Sequence, residues 1–395
     1  MKFCAVICEY NPFHNGHKYQ LGEIKRLSGC DKVLCIMSGN FTQRGNVAVF
    51  DKYTRARHAV ENGADVVLEL PTAFAVSPAE LFAGGALHIL ASIPAVKTLA
   101  FGCESGTKEE FLTAARAALG EDKQFKALLK ENMKGGTSYV KARTDALLAL
   151  HPETDAKLFS SPNNLLGVEY CRAILSENAD IEPLPIPRVG GGFHDTTLQK
   201  NYSSASALRT ALGEDTMKAR RALKSNVPPT VYDSALSYSP TAYETAALLA
   251  LLSTPAEEVA KTPDCAEGLE NRLQSMARLN PAYADLLEKV VSKRYTRSRI
   301  KRILLQNFLG VHLANVREFL AAPLYCRTLA VKKDGAEEIL SALSEGRSPL
   351  VARKSDSFLL KKDAADCFRL DLNANDLYGV LRGTHFSEYE TVFVD

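Results

Sequence analysis

No stretch of the sequence approaches the roughly 20 consecutive apolar residues that a helix needs to cross a bilayer. The apolar N-terminal residues run into Glu9 too early for a signal sequence and precede no cleavage site. Nine cysteines are present, but they form no C-x-x-C pair, and several lie in apolar runs typical of small core residues. These absences argue against a membrane protein, a zinc site and a secreted disulfide framework, and we expect a cytoplasmic protein.

A strong net charge and low-complexity tracts are also absent. The formal net charge is +2, so overall charge does not indicate a polyanionic partner. The chain has only 17 prolines and 24 glycines and no internal repeat, which is typical of a globular protein without long disorder. A chain of 395 residues is longer than a single domain with one hydrophobic core usually is, so we predict two domains.

Short apolar runs alternate with amphipathic segments in the N-terminal part of the chain. The runs typical of buried strands are residues 3–8, 33–37, 66–70 and 98–101, and helical patterns lie near residues 16–27, 53–62 and 79–90. This alternation predicts an α/β fold with a doubly wound, Rossmann-like parallel sheet. Alternating prolines in residues 181–188 predict an edge strand, and Gly190–Gly192 predict a loop.

The composition changes after Lys224. Residues 225–229 (Ser-Asn-Val-Pro-Pro) are the best linker candidate, and Leu/Ala/Arg-rich helical patterns follow, before a strand-like run near the C-terminal end. We therefore predict an α/β domain over residues 1–224. A second domain over residues 225–395 is predicted to be mainly helical, with a small α+β tail.

The strongest chemical pattern is Glu9–His17, which follows the first predicted strand and opens the first predicted helix. Ligands of open α/β sheets bind at the carboxyl ends of strands, where helix N-termini offer N–H groups to phosphates. His14 and His17 are three residues apart and face one side, where imidazoles can donate hydrogen bonds to a leaving pyrophosphate. Gly16 has no Cβ to obstruct a nucleotide. The pattern indicates adenylyl transfer; the alternative is that the histidines only cap a helix.

A hydroxyl-rich stretch, Tyr202–Arg209, forms the second pattern. Serines followed by arginine at a helix start suit the β- and γ-phosphates of a triphosphate, with Ser206 and Arg209 as the candidates. The alternative is a helix N-cap followed by a surface arginine.

Both patterns resemble motifs of one enzyme superfamily. His14-Asn15-Gly16-His17 resembles the H-x-G-H signature of the nucleotidyltransferase superfamily, and Ser203–Arg209 is similar to its I-S-S-T-x-I-R motif. The second motif departs at two places, since Ser203 replaces the leading isoleucine and Ala205 separates the hydroxyls. The first domain is therefore expected to be a nucleotidyltransferase-like, ATP-binding catalytic domain.

A narrower resemblance extends over most of the chain, in the segments Val6–His17, Met37–Gly45, Asp51–Arg55, Gly63–Asp65, Glu69–Pro71, Phe101–Glu104, Asn163–Tyr170, Arg188–Gly190 and Arg294–Arg297. These segments resemble the bacterial tRNA(Met) cytidine acetate ligases. Such enzymes form acetyl-adenylate from acetate and ATP, then acetylate N4 of the wobble cytidine, position 34, of elongator tRNA(Met). The resemblance implies an ATP-dependent, adenylate-forming ligase, with Mg²⁺ accompanying ATP, and with acetate and elongator tRNA(Met), but no DNA, as partners.

The resemblance also implies site residues. His14 and His17 are the expected catalytic residues. The expected ATP-binding residues are Ile7, Cys8, Glu9, Tyr10, Asn11, Pro12, Phe13, His14, Asn15, Gly16, His17, Lys18, Tyr19, Gln20, Gly102, Asn163 and Arg188. For the last three, the structural alternatives are a turn glycine, a helix N-cap and an edge-strand salt bridge.

Residues 38–45 form a polar segment after the second predicted strand, at the same edge of the sheet. Polar loops there form binding walls. We expect acetate or the anionic intermediate to be held by some of the residues Ser38, Asn40, Gln43, Arg44 and Lys52. Arg55 is expected to contribute to this site together with Lys52. The alternative is a solvated loop followed by a basic helix face.

Residues 293–302 contain six basic side chains and no acid. Neutralising phosphates supplies most of a protein's affinity for nucleic acid, and Tyr295 is predicted to stack on an unpaired base. The tRNA-binding candidates are Lys293, Arg294, Tyr295, Arg297, Arg299 and Arg302, and a smaller basic group precedes the predicted linker. The alternative is an ordinary solvated helix face.

Three other functions remain open at the level of sequence. One is another H-x-G-H nucleotidyltransferase that makes a nucleotide cofactor, which leaves the basic segment without a role. A second is a class I aminoacyl-tRNA synthetase, although no K-M-S-K-S-like segment follows the H-x-G-H motif. The third is a non-catalytic, nucleotide-sensing RNA-binding protein.

Overall fold

The computed structural model describes residues 1–120, 122–134, 136–188, 202–214, 216–236, 238, 241–266, 268–389 and 391–395. The predicted Gly190–Gly192 loop and Val189 lie outside these residues. The strands are β1 (Phe3–Cys8), β2 (Lys32–Ser38), β3 (Phe41–Thr42), β4 (Asn46–Val47), β5 (Val66–Leu70), β6 (Val96–Cys103), β7 (Glu182–Pro187), β8 (Cys326–Lys332), β9 (Leu350–Val351) and β10 (Val392–Val394).

Helices surround these strands. They are α1 (Asn15–Leu27), α2 (Lys52–Glu61), α3 (Thr72–Ala75), α4 (Ala79–Leu90), α5 (Lys108–Leu119), α6 (Lys123–Asn132), α7 (Tyr139–Leu150), α8 (Pro162–Ser176), α9 (Ala205–Leu212), α10 (Met217–Asn226), α11 (Pro229–Ala235), α12 (Tyr243–Ser253), α13 (Ala256–Val259), α14 (Leu269–Leu279), α15 (Tyr283–Val290), α16 (Arg297–Leu309), α17 (Leu313–Leu320), α18 (Ala336–Ser344), α19 (Lys354–Ser357) and α20 (Lys362–Arg382). A 3-10 turn spans Ala156–Phe159.

One sheet organises the molecule, with the strand order β10-β8-β5-β2-β1-β6-β7, and β9 pairs with β8. The pairs β1–β2, β2–β5, β1–β6 and β6–β7 are parallel, whereas β5–β8 is antiparallel. The predicted parallel sheet is therefore confirmed at its centre and is mixed near one edge. The proline-containing β7 lies at the other edge, as predicted, where a strand needs few amide donors.

Successive side chains of each strand point to opposite faces of the sheet, so apolar strands need helices packed on both faces. Phe3 and Ala5 of β1 belong to the core that includes α4 and α8, whereas Cys4 and Val6 belong to the core that includes α1 and α2. All nine cysteines are free. Cys4 and Cys35 are fully buried, which confirms that they are small core residues.

The order of the central strands places a crevice between β1 and β6. The chain runs from β1 outward through β2 to β5 and then returns to the opposite side of β1 for β6 and β7. This reversal is the topological switch point of a doubly wound sheet, outside which ligands bind at the carboxyl ends of the strands. The H-x-G-H motif follows β1, so the topology places it at this crevice.

The C-terminal part of the chain completes the same sheet. Strands β8, β9 and β10 follow residue 225 in sequence, yet β8 pairs with β5 and carries β10 on its outer side. Residues 225–229, which were predicted as a linker, are instead the end of α10 and the start of α11. Asn226 is 1% exposed, and its Oδ1 accepts a hydrogen bond from Ser203 N at 2.6 Å. The division into domains 1–224 and 225–395 stays a prediction.

Within the described ranges, no helix is both long enough and apolar enough to cross a membrane.

Candidate active site

A cavity of about 470 Å³ opens at the switch point between β1 and β6. It brings together most of the residues that the sequence assigns to ATP. Those that line it are Ile7, Cys8, Glu9, Tyr10, Asn11, His14, Gly16, His17, Tyr19, Gln20, Gly102, Asn163, Arg188, Ser206 and Arg209. Pro12, Phe13, Asn15 and Lys18 do not line it; Phe13 is buried in the core, and Asn15 Nδ2 donates to Ser225 O at 3.0 Å.

His14 and His17 form a stacked pair at the start of α1. Their ring centroids are 3.6 Å apart and their planes differ by 19°. The pair also caps the helix, because His14 Nδ1 accepts from Gly16 N at 3.1 Å and His17 Nδ1 accepts from His14 N at 3.3 Å. A Cβ on Gly16 would lie 3.0 Å from the His14 ring, so glycine leaves room for the imidazole. His14 and His17 therefore both cap the helix and line the cavity.

The capping bonds determine which ring nitrogen carries the proton. A nitrogen that accepts a hydrogen bond is unprotonated, so a neutral imidazole whose Nδ1 accepts must hold its proton on Nε2. Burial, followed by the charges of Arg188 and Arg209, lowers the pKa of His14 to about 3. Burial and the neighbouring His14 lower the pKa of His17 well below its ordinary value. Both imidazoles are therefore neutral near pH 7, and each offers one Nε2–H donor.

The loop before the helix is held by two arginines. Arg55 is fully buried and donates to the carbonyl oxygens of Glu9 at 2.7 Å and Ser38 at 3.0 Å, and also to that of Gly39. Arg209 Nη1 donates to Asn11 O at 2.7 Å. These bonds tie the carboxyl ends of β1 and β2 together and place Glu9 and Asn11 at the cavity. Arg55 is thus a positioning residue, and its complete burial outside the cavity argues against the prediction that it helps to hold acetate.

The second motif supplies a helix start and an arginine facing the cavity. Ser204 is the N-cap of α9, and its side chain accepts from Ala207 N at 3.1 Å. Ser206 Oγ accepts from Arg209 Nη2 at 3.0 Å. Arg209 is only partly exposed and lines the cavity, so it is not the surface arginine of the alternative interpretation. Ser203 is 3% exposed, so the residue that departs from the family motif is a buried one.

The opposite wall comes from β6, β7 and α8. A Cβ on Gly102 would meet the Arg188 side chain at 3.3 Å, so the glycine lets this arginine lie across the strand end. Asn163 Nδ2 donates to Glu104 Oε1 at 2.5 Å, and Ser161 Oγ donates to Glu104 Oε2 at 2.6 Å. Ser161, not Asn163, is the N-cap of α8. Glu104 belongs to a segment that carries the family resemblance, but no pattern in the sequence indicates that it orients Asn163.

An apolar surface that the sequence did not predict completes the cavity. Its members are Ala79 and Phe82 of α4, Phe101 of β6, and Leu165, Leu166 and Tyr170 of α8. In the sequence these residues are ordinary members of apolar stripes, so no local signal distinguishes them from core. Apolar walls with a few convergent polar groups are typical of small-molecule sites.

The five acetate candidates separate into two groups. Gln43 and Arg44 line the cavity, next to the short hairpin β3–β4 that replaces the predicted loop, and Gln43 N donates to Glu9 Oε1 at 2.8 Å.

The other three candidates, Ser38, Asn40 and Lys52, do not line the cavity and are at most 4% exposed. Lys52 Nζ lies 2.8 Å from Glu69 Oε2 and 2.5 Å from Glu388 Oε1, so its charge is already balanced in the core. Asn40 Oδ1 accepts from Lys52 N at 2.7 Å. The geometry therefore argues against these three as acetate ligands, because each is enclosed by protein.

Several side chains of the basic segment, residues 293–302, are paired or buried, so fewer of them can contact RNA than the sequence indicates. Asp264, distant in the chain, pairs with Arg302 at 2.8 and 2.9 Å. Arg299 Nε donates to Asp264 O at 2.9 Å, and its guanidinium lies 5.3 Å from the centroid of the Tyr295 ring. Tyr295 is 8% exposed, which argues against the prediction that it stacks on a base. Lys293 and Arg297 are exposed, whereas Arg302, together with Ser298, lines the cavity.

Comparison with known proteins bears on this site. The model of the HIGH Nucleotidyl Transferase family matches residues 1–391 of the chain. A tRNA(Met) cytidine acetate ligase of Clostridium botulinum (strain Langeland) is 34% identical, and the alignment covers 96% of this chain and 95% of that protein. The chain belongs to the tRNA(Met) cytidine acetate ligase family of the HIGH nucleotidyl transferases. A family member from Clostridium novyi with the same name is 33% identical over 96% of both chains.

Solved structures of the family agree with the fold. The apo form I crystal structure of Thermotoga maritima TmcAL has a TM-score of 0.92, 30% identity and complete coverage of both chains. TmcAL bound with alpha-thio ATP has a TM-score of 0.89 and 29% identity over 99% of this chain. The α/β nucleotidyltransferase fold predicted from the sequence is confirmed.

Proposed function

We propose that this chain is a tRNA(Met) cytidine acetate ligase. It activates acetate with ATP as acetyl-adenylate and transfers the acetyl group to N4 of the wobble cytidine, position 34, of elongator tRNA(Met). The observation that carries the proposal is the stacked His14–His17 pair, which offers two Nε2–H donors at the switch-point cavity. The names of the relatives support the acyl substrate and the tRNA.

The first step is attack of an acetate oxygen on the α-phosphorus of ATP. The bond from this phosphorus to the bridging oxygen breaks, and pyrophosphate leaves. Negative charge moves toward the leaving group, where Nε2–H of His14 and His17 and the guanidinium of Arg209 stabilise it. Neutral imidazoles suit this role because they donate without a proton having to be gained first. No covalent enzyme intermediate is needed, since positioning and electrostatics suffice.

Acetate is best placed near Arg44. This arginine lines the cavity beside Glu9, and acetate bound there would meet a positive charge in a partly buried site. Arg188 and Asn163 lie across the cavity and suit the remainder of the nucleotide.

Mg²⁺ is expected to arrive with ATP. Among the described residues, no group of three or more His, Cys, Asp or Glu side chains could hold a metal ion. Mg²⁺ at nucleotide sites commonly keeps several waters and binds through the phosphates, so the chain needs no dedicated cage.

In the second step the N4 amine of the cytidine attacks the acetyl carbonyl carbon. The N–C bond forms, the C–O bond to the phosphate breaks, AMP leaves, and the amine loses one proton. RNA loops present splayed-out bases to proteins, which suits an anticodon nucleotide. Lys293 and Arg297, exposed beside Ser298 at the cavity rim, are the best-placed phosphate contacts of the predicted set. A tRNA substrate places this reaction in the cytoplasm.

Acetate-stimulated ATP–pyrophosphate exchange tests the first step. Replacing His14 and His17 together with alanine is expected to lower the exchange rate by roughly a hundredfold or more, because each donor to developing charge contributes about 10²–10³ in rate. His385→Ala, an exposed histidine outside the cavity, is the control. Exchange that survives intact in the double variant would contradict the catalytic assignment.

Mapping the product tests the second step. The protein is incubated with ATP, labelled acetate and total bacterial tRNA, and the labelled nucleoside is identified. The proposal requires N4-acetylcytidine at position 34 of elongator tRNA(Met). Label in a soluble nucleotide cofactor instead would favour another H-x-G-H nucleotidyltransferase, and absence of exchange with retained tRNA binding would favour a non-catalytic RNA-binding protein.

A further inference from the structure

A second basic surface lies on α6 and includes one residue of the basic segment 293–302, Arg294. Lys126 and Lys130 of α6, and Lys134 just after its C-terminal end, line a hollow of about 400 Å³ together with Leu129, Met133 and Arg294. Lys126 and Lys130 are four residues apart, so they lie on one face of the helix. Arg294 is distant from α6 in the chain and joins this face only through the tertiary structure. We name the surface formed by Lys126, Lys130 and Arg294 the α6 hollow.

Among the described residues, no carboxylate pairs with the two lysines of the α6 hollow, Lys126 and Lys130. Lys126 and Lys130 are exposed, and in the described part of the chain neither has a carboxylate oxygen within 4.0 Å. Lys134 differs, because its Nζ lies 2.5 Å from Glu131 Oε2. The guanidinium of Arg294 lies 5.8 Å from the centroid of the Tyr295 ring, which helps to hold it at the hollow. Exposed cations gathered on one surface attract a polyanion.

The α6 hollow adjoins the cavity. Arg294 belongs to the hollow and Ser298 lines the cavity. Four residues of extended chain span at most about 14 Å, so the Cα atoms of Arg294 and Ser298, one at each depression, are no farther apart than that. An RNA loop with one base in the cavity therefore has neighbouring phosphates within range of the α6 hollow.

We propose that the α6 hollow binds the RNA backbone beside the reacting nucleotide. Lys126, Lys130 and Arg294 contact phosphodiester oxygens and set the position of the loop while the target base enters the cavity. Contacts of this kind position a nucleic acid and carry no sequence information, so the hollow governs affinity for tRNA and not the choice of base. The inference rests on the proposed function, because it takes tRNA as the substrate of the adjoining cavity.

The test compares Lys126→Ala/Lys130→Ala with a control of equal charge loss, Lys141→Ala/Lys333→Ala. The control lysines are exposed, pair with Asp145 and Asp395 at the surface, and line neither depression. Affinity of the full-length protein for the tRNA(Met) transcript is measured over a series of salt concentrations. We expect the hollow variant to bind roughly tenfold more weakly and its plot of log affinity against log salt to be shallower by about 1.4–1.8, since two phosphate contacts are lost.

Kinetics separate this inference from the proposed function. In the hollow variant the KM for tRNA should rise while ATP–pyrophosphate exchange with acetate keeps its wild-type rate. Affinity and salt slope equal to those of the control would overturn the inference. So would a variant that loses binding to anionic phospholipid vesicles but keeps its affinity for tRNA, because the hollow would then serve a membrane surface. Absence of exchange in the wild-type protein would instead remove the proposed function itself.

Discussion

At the scale of single residues, the chemistry of the site depends on how each side chain is held. His14 and His17 become neutral Nε2–H donors because backbone N–H groups occupy both Nδ1 atoms and burial disfavours their charged forms. Lys52 shows the opposite outcome. It is as polar as Arg44, yet its partners Glu69 and Glu388 enclose it away from the cavity. Residue type alone does not show whether a polar side chain lies at the cavity or is enclosed in the core.

The histidines should differ sharply in an NMR titration of their ring protons. We expect His14, His17 and His58 to stay neutral from pH 8 down to pH 5, since burial lowers the pKa of His14 to about 3 and that of His58 to about 4. His88 is an internal control, because its hydrogen bond to Glu177 raises its pKa above the ordinary 6.5. Titration of His14 near pH 6.5 would contradict the inference that burial keeps this imidazole neutral.

The same shift makes stability depend on pH. An unfolded histidine has a pKa of about 6.5, so at His14, His17 and His58 the unfolded chain binds more protons than the native one as the pH falls below about 6.5. The contribution of these histidines to the unfolding free energy should therefore decline as the pH falls, whereas Asp371 and Glu388, whose pKa values are raised by burial, act in the opposite direction. We expect a shallower decline in His58→Gln, measured by urea unfolding at several pH values, because one of the buried neutral imidazoles is removed.

Arg209 offers a second test at this scale. Arg209→Lys keeps the positive charge but loses the guanidinium group, whose two Nη atoms donate to Asn11 O and Ser206 Oγ. We expect ATP–pyrophosphate exchange to fall by roughly tenfold or more, with a higher KM for ATP, since a hydrogen bond to a charged group contributes about 1.5–3 kcal/mol. Arg220→Lys on the exposed face of α10 is the control and should leave exchange unchanged. Equal rates in the two variants would argue against a role in phosphate binding.

At the scale of elements, the hairpin β3–β4 and helix α16 form one wall of the cavity. Gln43 and Arg44 lie in the hairpin turn, and Ser298 and Arg302 lie on the helix. Arg302 Nη1 donates to Gln43 O at 3.4 Å. A basic helix that is expected to meet RNA is thereby in contact with a loop that is expected to meet acetate, which places the two substrates on adjoining surfaces.

This contact predicts the effect of Gly45→Ala. Gly45 has a φ of +70°, and a Cβ there would lie 2.4 Å from the carbonyl carbon of Lys301, so the hairpin and α16 must separate. Gly310→Ala is a matched control, with a φ of +71° and nothing within 4 Å of its Cβ position. We expect about 1 kcal/mol of destabilisation in the control from the left-handed backbone alone. Gly45→Ala should cost about 1–3 kcal/mol more and raise the KM for ATP. Equal urea midpoints would contradict this packing.

At the scale of the whole molecule, the C-terminal residues are part of the catalytic sheet. Strand β8 pairs with β5, and Glu388 reaches Lys52 in the core beneath the hairpin. The buried ion pairs of Lys52 therefore connect residues near the end of the chain to the element that follows β4. Burial of such a cluster is tolerated only while every charge has its partner.

Lys52→Met should consequently destabilise the protein strongly. The substitution removes the cation that lies between Glu69 and Glu388 and leaves only Arg327, at 3.9 Å from Glu388 Oε1, beside the two buried carboxyl groups. We expect a loss of about 3–5 kcal/mol in the free energy of unfolding. Lys333→Met also removes an ion pair with the C-terminal segment, but this lysine is 66% exposed and pairs with Asp395 at the surface. Its loss should cost about 0–1 kcal/mol. Comparable losses in the two variants, measured by urea unfolding, would contradict the burial of the cluster.

The elements with strong local signals were predictable from the sequence. The predicted bounds of β1 and β5, residues 3–8 and 66–70, and of α4, residues 79–90, agree with the structure. The predicted linker over residues 225–229 contains the last two residues of α10, and its prolines are the N-cap and the first residue of α11. Proline is well tolerated in the first turn of a helix, where its missing N–H is not needed. The sequence therefore indicated that a helix ends near residue 225, but not that the next helix begins within a few residues.

The sequence by itself determined the alternation of strands and helices and the position of the H-x-G-H motif after β1, because hydrophobic periodicity and chain order are local properties. Only the tertiary structure decided which charges remain free. Asp264 pairs with Arg302, Glu69 and Glu388 enclose Lys52, and Lys126 and Lys130 instead join Arg294 at the surface. Pairing and desolvation depend on neighbours that are distant in the chain, and these neighbours decide whether a polar residue supports the core or meets a substrate.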